Sequence, residues 1–108
     1  MTVTATLRPS SLASSAGDAA ALTLCLRNDS RTEEVVRLKA VGELAEHTVL
    51  QSEAISLDPG EEFEVPVIVD IAKALSAGNH ASQIEVAAEG QQSITAKAII
   101  SVPESLAY

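Results

Sequence analysis

Enzymatic or metal chemistry needs a nucleophile, a base or a set of ligands held close together. The residues to weigh first are therefore the two histidines, the single cysteine and the clustered carboxylates of this chain. His47 lies in "VGELAEHTVL" and His80 in "SAGNHASQ", and neither has another His or a Cys at ligand spacing. His80 follows a Gly-Asn turn and reads as a partly buried filler. Cys25 sits in "ALTLCLRN", where alternation turns it outward beside Thr23 and Arg27, with no base nearby in sequence. A small apolar contact in an interface is its simpler role. "DPGEEFE" supplies Asp58, Glu61, Glu62 and Glu64, and "GELAEH" supplies Glu43 and Glu46. Neither stretch matches the spacing of an EF-hand calcium loop, and alternation puts Glu62 and Glu64 on a solvated strand face. No Gly-rich phosphate loop and no Gly-x-Ser-x-Gly elbow is present. The expectation is no enzyme, no metal and no cofactor.

With no reactive cluster to position, the bulk properties carry more weight. The 108 residues suffice for one domain with one core. Apolar residues make up 46% of the chain, mostly Val, Ile, Leu and Ala. Phe63 and Tyr108 are the aromatics, so the core is assembled from small pieces. Seven basic against fifteen acidic residues give a formal charge of −8. Such a surface is repelled by phosphate backbones and anionic membranes, which argues against both as partners. "MTVTATLRPS" has no basic segment leading into an apolar one, and no apolar run approaches the roughly 20 residues of a membrane span. Together with one unpaired cysteine, this points to a cytoplasmic protein.

Period two dominates the chain. Val3, Ala5 and Leu7 share one strand face, and Leu22, Leu24 and Leu26 another. "EVVRLKAVG" sets Val36, Leu38 and Ala40 against Val35, Arg37, Lys39 and Val41. Phe63, Val65, Val67 and Val69 alternate with Glu62, Glu64, Pro66 and Ile68. Ile84, Val86 and Ala88 form an inward set, as do Ile94, Ala96, Ala98 and Ile100. "HTVLQ" and "AISL" add one or two weaker strands. Turn residues punctuate the runs at Gly17-Asp18, Asn28-Asp29-Ser30, Asp58-Pro59-Gly60, Gly78-Asn79 and Gly90-Gln91. "VGELAEHTVL" and "IAKALSAG" have some helical spacing, enough for at most one short turn. About seven short strands at this spacing predict an all-β antiparallel sandwich over residues 1–102, with 103–108 as a tail or linker.

The order of these signals resembles the bacterial immunoglobulin-like (Ig-like) modules of the CARDB type and the related modules appended to bacterial glycosidases. The matching stretches are "AGDAAALTLCLRNDS", "EVVRLKAVG" ending at Gly, "LDPGEEFEVPVIV" and "SAGNHASQIEVAAEG". The resemblance covers roughly residues 5–102 and implies a single Ig-like β-sandwich. It says little about function, because such modules serve as spacers, adhesion units and assembly domains. The chain departs from the pattern at His80, where an aromatic usually stands. The two Gly-acid turns then read as architecture, opening two long strands that lie beside each other in one sheet. Gly60 supplies the positive φ that a turn beginning at Pro59 needs.

In that topology the strand of Cys25 lies between the first strand and the strand of Ile68. Its sheet exposes Thr4, Thr6, Thr23, Cys25, Pro66 and Ile68, while the other exposes Val35, Arg37, Lys39, Val41, Glu85, Ala87, Lys97 and Ile99. Arg37, Lys39 and Lys97 are within reach of Glu85 for cross-strand pairs, which being exposed would contribute little. Cys25, Val35, Val41, Ile68 and Ile99 are the candidate interface residues, being apolar on nominally wet faces. They suggest a protein partner or self-association. Carbohydrate is disfavoured, since Phe63 is expected inward and Tyr108 alone is left for stacking. The expected function is a non-enzymatic structural or assembly module in a bacterial cell; the alternative is an accessory spacer or binding module of a larger secreted enzyme or adhesin.

Overall fold

The computed structural model describes residues 3–13, 19–71, 77–88 and 92–102. Among them are nine strands: β1 (Val3–Arg8), β2 (Ser11–Ala13), β3 (Ala19–Asn28), β4 (Glu34–Val41), β5 (Thr48–Leu50), β6 (Ala54–Leu57), β7 (Glu62–Asp70), β8 (Gly78–Ala88) and β9 (Ile94–Val102). One sheet has the order β1-β3-β7-β5 and the other β2-β9-β8-β4-β6. Every pairing is antiparallel except β2 with β9. The all-β Ig-like sandwich is therefore the fold.

The strand count exceeds the expected seven for two reasons. Both weak stretches, "HTVLQ" and "AISL", contain strands, and the chain resumes pairing immediately after Pro9. Proline ends β1 because it cannot donate to a ladder. Ser10 then accepts a hydrogen bond from the Ile99 amide at 2.9 Å, and β2 joins the opposite sheet. The stretch "VGELAEHTVL" contains a single 3-10 turn at Ala45–His47 before β5 begins. Gly17-Asp18, Gly90-Gln91, positions 72–76 of "IAKALSAG" and the 103–108 tail lie outside the described residues.

Alternation works as period two requires. β3 buries Ala20, Leu22, Leu24 and Leu26, and β7 buries Val65, Val67 and Val69. From the other sheet come Val36, Leu38, Ile84, Val86, Ala96, Ala98 and Ile100. Each Val, Leu or Ile taken from water contributes roughly 1.5–3 kcal/mol, so many modest side chains replace the missing aromatics. Phe63 departs from its expected inward position. It shares phase with Val65 and pairs with Leu26, but as the second residue of β7 it lies at the end of the sandwich and remains 41% exposed; Ile94, also expected inward, opens β9 and is exposed for the same reason.

The densest polar cluster sits where β3 leaves its sheet. Asn28 is fully buried. Its Nδ2 donates to the carbonyls of Thr32 (2.8 Å) and Leu57 (2.9 Å), while Oδ1 accepts from the amide (2.9 Å) and hydroxyl (2.7 Å) of Ser30. Its backbone amide donates to Glu61 O (3.0 Å), and its carbonyl accepts from the Gly60 amide (2.8 Å). The Asp58–Glu61 turn is closed by Glu61 N to Asp58 O at 2.9 Å, with Gly60 at φ +78°. Pro at the second position and a positive φ at the third make this a type II turn. The Glu61 carboxylate also accepts from the Asp58 amide at 2.8 Å. As expected, β3 and β7 lie side by side.

Three measurements by urea unfolding follow from these contacts. Asn28→Ala leaves buried Ser30 N–H and Leu57 C=O unpaired and should cost about 3 kcal/mol. Asn28→Asp, similar in shape but with no amide donor, should not recover that loss at neutral pH. Ser82 gives the opposite case: it is fully buried in β8, and its hydroxyl has no hydrogen-bond partner among the described residues. Ser82→Ala should leave stability unchanged or raise it by up to about 1 kcal/mol.

Candidate interaction surfaces

The outer face of the β1-β3-β7-β5 sheet consists of rows set by strand register. At one end Thr4, Arg27 and Glu62 stand side by side, followed by Thr6, Cys25 and Glu64, then Arg8, Thr23 and Pro66. The next row is Ala21, Ile68 and Val49, and the last pairs Ala19 with Asp70. The face is thus charged at one end and apolar toward the other. Arg27 Nε lies 2.8 Å from Asp29 Oδ1, and its Nη1 lies 3.9 Å from Glu62 Oε1. Both pairs are exposed, and such pairs contribute little to stability. An open groove of about 470 Å3 covers the charged half, lined by Thr4, Thr6, Arg8, Cys25, Arg27 and Glu64 among others.

Ile68 is 39% and Val49 62% exposed, and with Ala21 they form one apolar row across three strands. Val49 and Ala21 were not among the residues singled out from sequence. Ala21 is visible as an outward position by alternation from Leu22. Val49 is not, because its face depends on β5 pairing with β7, a contact made about twenty residues along the chain.

The other sheet exposes the expected side chains, but they do not gather. Val35 stands opposite Ser56, Val41 opposite Gln83, and Ile99 lies between Ala81 and Ser11. Val35 is 43% exposed, whereas Val41 and Ile99 are half-buried. A smaller depression beside Val35 is lined by Arg37, Ala87 and Ala88. Lys39 faces Glu85 in register, yet no ion pair joins Arg37, Lys39 or Lys97 to Glu85. The long side chains stay solvated, which avoids the entropy cost of fixing them. Of the five candidates, Cys25 and Ile68 share one face and Val35, Val41 and Ile99 the opposite one.

The reactive side chains do not converge either. Cys25 is half-buried and free. His80 is more deeply buried than expected, at 6% exposure, with Nδ1 3.0 Å from Glu43 Oε2. The pair ties the start of β8 to the chain segment that follows β4. His47 belongs to the separate 3-10 turn. Among the described residues no three His, Cys, Asp or Glu side chains gather as a metal requires. No helix among them is long and apolar enough to cross a membrane.

Residues 21–103 match the family model described as the IG-like fold at the C-terminal of FixG, with FixG itself described as an inferred oxidoreductase. The chain belongs to this FixG C-terminal Ig-like family. No curated protein matches it by sequence. Among solved structures, a FixG-related protein from Vibrio parahaemolyticus superposes with a TM-score of 0.63 at 16% identity, over 82% of this chain and 80% of that one. A family 123 glycoside hydrolase from Clostridium perfringens gives 0.76 at 10% identity, covering 97% of this chain and 28% of the other. The E. coli chaperone DraB gives 0.63 at 14%, over 94% of this chain and 55% of its own. At these identities the structural likeness shows the fold alone. The matches support a bacterial Ig-like module and lend no separate support to the CARDB type.

The separation of faces is testable through stability. Ile68→Lys and Val49→Lys should each change unfolding free energy by less than about 0.5 kcal/mol, as surface substitutions do. Val67→Lys, at the fully buried neighbour of Ile68, should abolish the cooperative urea transition.

Proposed function

We propose that this chain is a non-enzymatic assembly module that works through protein–protein contacts, with the outer face of the β1-β3-β7-β5 sheet as its contact surface. The observation that carries the reading is the continuous apolar row Ala21–Ile68–Val49, whose side chains adjoin across three strands, whereas exposed Val35 pairs with a polar neighbour, Ser56. Exposed apolar side chains gathered in one place gain free energy when a partner covers them. The fold offers a rigid platform for this use, and it is shared with the E. coli chaperone DraB. A formal charge of −8 argues for a protein partner over nucleic acid.

A second reading has its own support. The family 123 glycoside hydrolase contains this architecture within a chain of which the match covers only 28%. The module then serves as an accessory spacer or binding unit within a larger secreted enzyme or adhesin, and the same face packs on a neighbouring domain. In both readings the chemistry is supplied elsewhere.

The test is recovery of the tagged chain from its native cells after mild cross-linking, alongside Ile68→Lys and Ile99→Lys variants. A protein retained in stoichiometric amount by the wild type and by Ile99→Lys, but lost with Ile68→Lys, is the expected result. The reading fails if the wild type retains no protein in stoichiometric amount and does not bind itself.

A further inference from the structure

We infer that the outer face of the β1-β3-β7-β5 sheet takes a second copy of the same chain, packed face to face about a twofold axis running along the strands between β3 and β7. This rests on the protein-contact reading above and names the partner.

The argument is one of self-complementarity, which any twofold interface must satisfy. A half-turn about that axis lays β3 of one copy over β7 of the other and preserves the rows. Strand register then decides which side chains meet. Arg27 of each copy faces Glu62 of the other, a charge-complementary contact formed twice. Ala21 faces Ile68, and Thr23 faces Pro66, so a smaller side chain meets a larger one in both rows. Cys25 faces Glu64, and Arg8 of one copy approaches that same Glu64 from β1. The last row sets Ala19 against Asp70, leaving the carboxylate unopposed by another acid.

Two other stackings about an axis along the strands fare worse. Stacking β7 on β7 places Glu62 and Glu64 against their own copies, while stacking β3 on β3 sets Arg27 against Arg27. The opposite sheet has no comparable match, because Val35, Val41 and Ile99 stand in separate rows. The dimer is weak by its size. Four strands about 4.8 Å apart span roughly 19 Å, and about nine residues of strand run roughly 30 Å, so each copy offers at most about 600 Å2, at the low end for a specific interface. A dissociation constant between about 10 µM and 1 mM is expected for a contact of that class.

Charge exchange tests the geometry without disturbing the fold, since the Arg27 and Glu62 side chains are 58% and 73% exposed. Sedimentation equilibrium of the full chain from about 10 µM to 1 mM at neutral pH should show a monomer–dimer equilibrium. Arg27→Glu should weaken it about tenfold, because two attractive contacts become repulsive. Glu62→Arg should weaken it similarly, although it moves the net charge from −8 to −6 and would tighten association if overall repulsion were decisive. An equimolar mixture of the two variants should restore affinity to within about threefold of wild type, since every cross-contact is again attractive. Ile68→Lys should reduce association, and Ile99→Lys on the far face should not.

Monomeric wild type at about 1 mM overturns the inference, as does a mixture that associates no better than either variant alone. Tightening by Glu62→Arg overturns it too. A monomer that still captures a different protein in stoichiometric amount refutes the second copy while leaving the protein-contact reading intact. A monomer that captures nothing refutes both.

Discussion

The side-chain amide of Asn28 is shut away from water, and backbone or hydroxyl groups from several chain segments meet its hydrogen-bonding capacity. It joins the end of β3, the loop through Ser30 and Thr32, the end of β6 at Leu57 and, through its own backbone, the Asp58–Glu61 turn. β3 and β6 belong to different sheets, so this residue ties the two layers at one end of the sandwich. An aliphatic side chain there would contribute burial but could not specify where the turn sits. The turn in turn determines where β7 begins, and therefore which of its side chains face inward. A buried polar group is costly when unpaired, which makes a fully paired one a strong constraint on geometry.

The core that depends on this hub is built without large side chains. Leu, Val, Ile and Ala fill the space between the sheets, and the single Phe of the chain lies at the rim rather than the centre. Packing of this kind leaves few aromatic groups for the surface, so stacking on sugars or bases has little to use. Contact through β-branched and small side chains remains, and it suits flat, sheet-to-sheet recognition.

Much of this was legible in the sequence. The long strands β3, β7, β8 and β9 carry their inward sets in strict alternation, and "DPGE" specifies its turn through Pro59 and Gly60. What escaped was decided at long range. β2 has three residues, too few for a pattern, and exists because β9 offers an edge. The outward face of Val49 follows from pairing with Ile68, which a local pattern of three residues cannot encode. Phe63 has the phase of a core residue, and only its position at the end of the sandwich leaves it partly wet. The anticipated pairs with Glu85 illustrate the converse: register brings Lys39 opposite, yet solvated chains gain little by closing the gap. The candidate interface residues could accordingly be assigned to their two faces through the Ig-like topology, while the gathering of Ile68 with Ala21 and Val49 into one row required the fold.

The break at Pro9 has a mechanical consequence. Because the chain passes from one sheet to the other there, its first described strands are held in both layers, and β2 runs parallel to β9. Tension applied at the two ends of the sandwich would pull β2 and β9 in opposite directions along their length. The hydrogen bonds between them, including Ile99 N to Ser10 O, would be loaded together in shear instead of opening one at a time. A sandwich threaded in this way resists stretching along the chain better than peeling from its side.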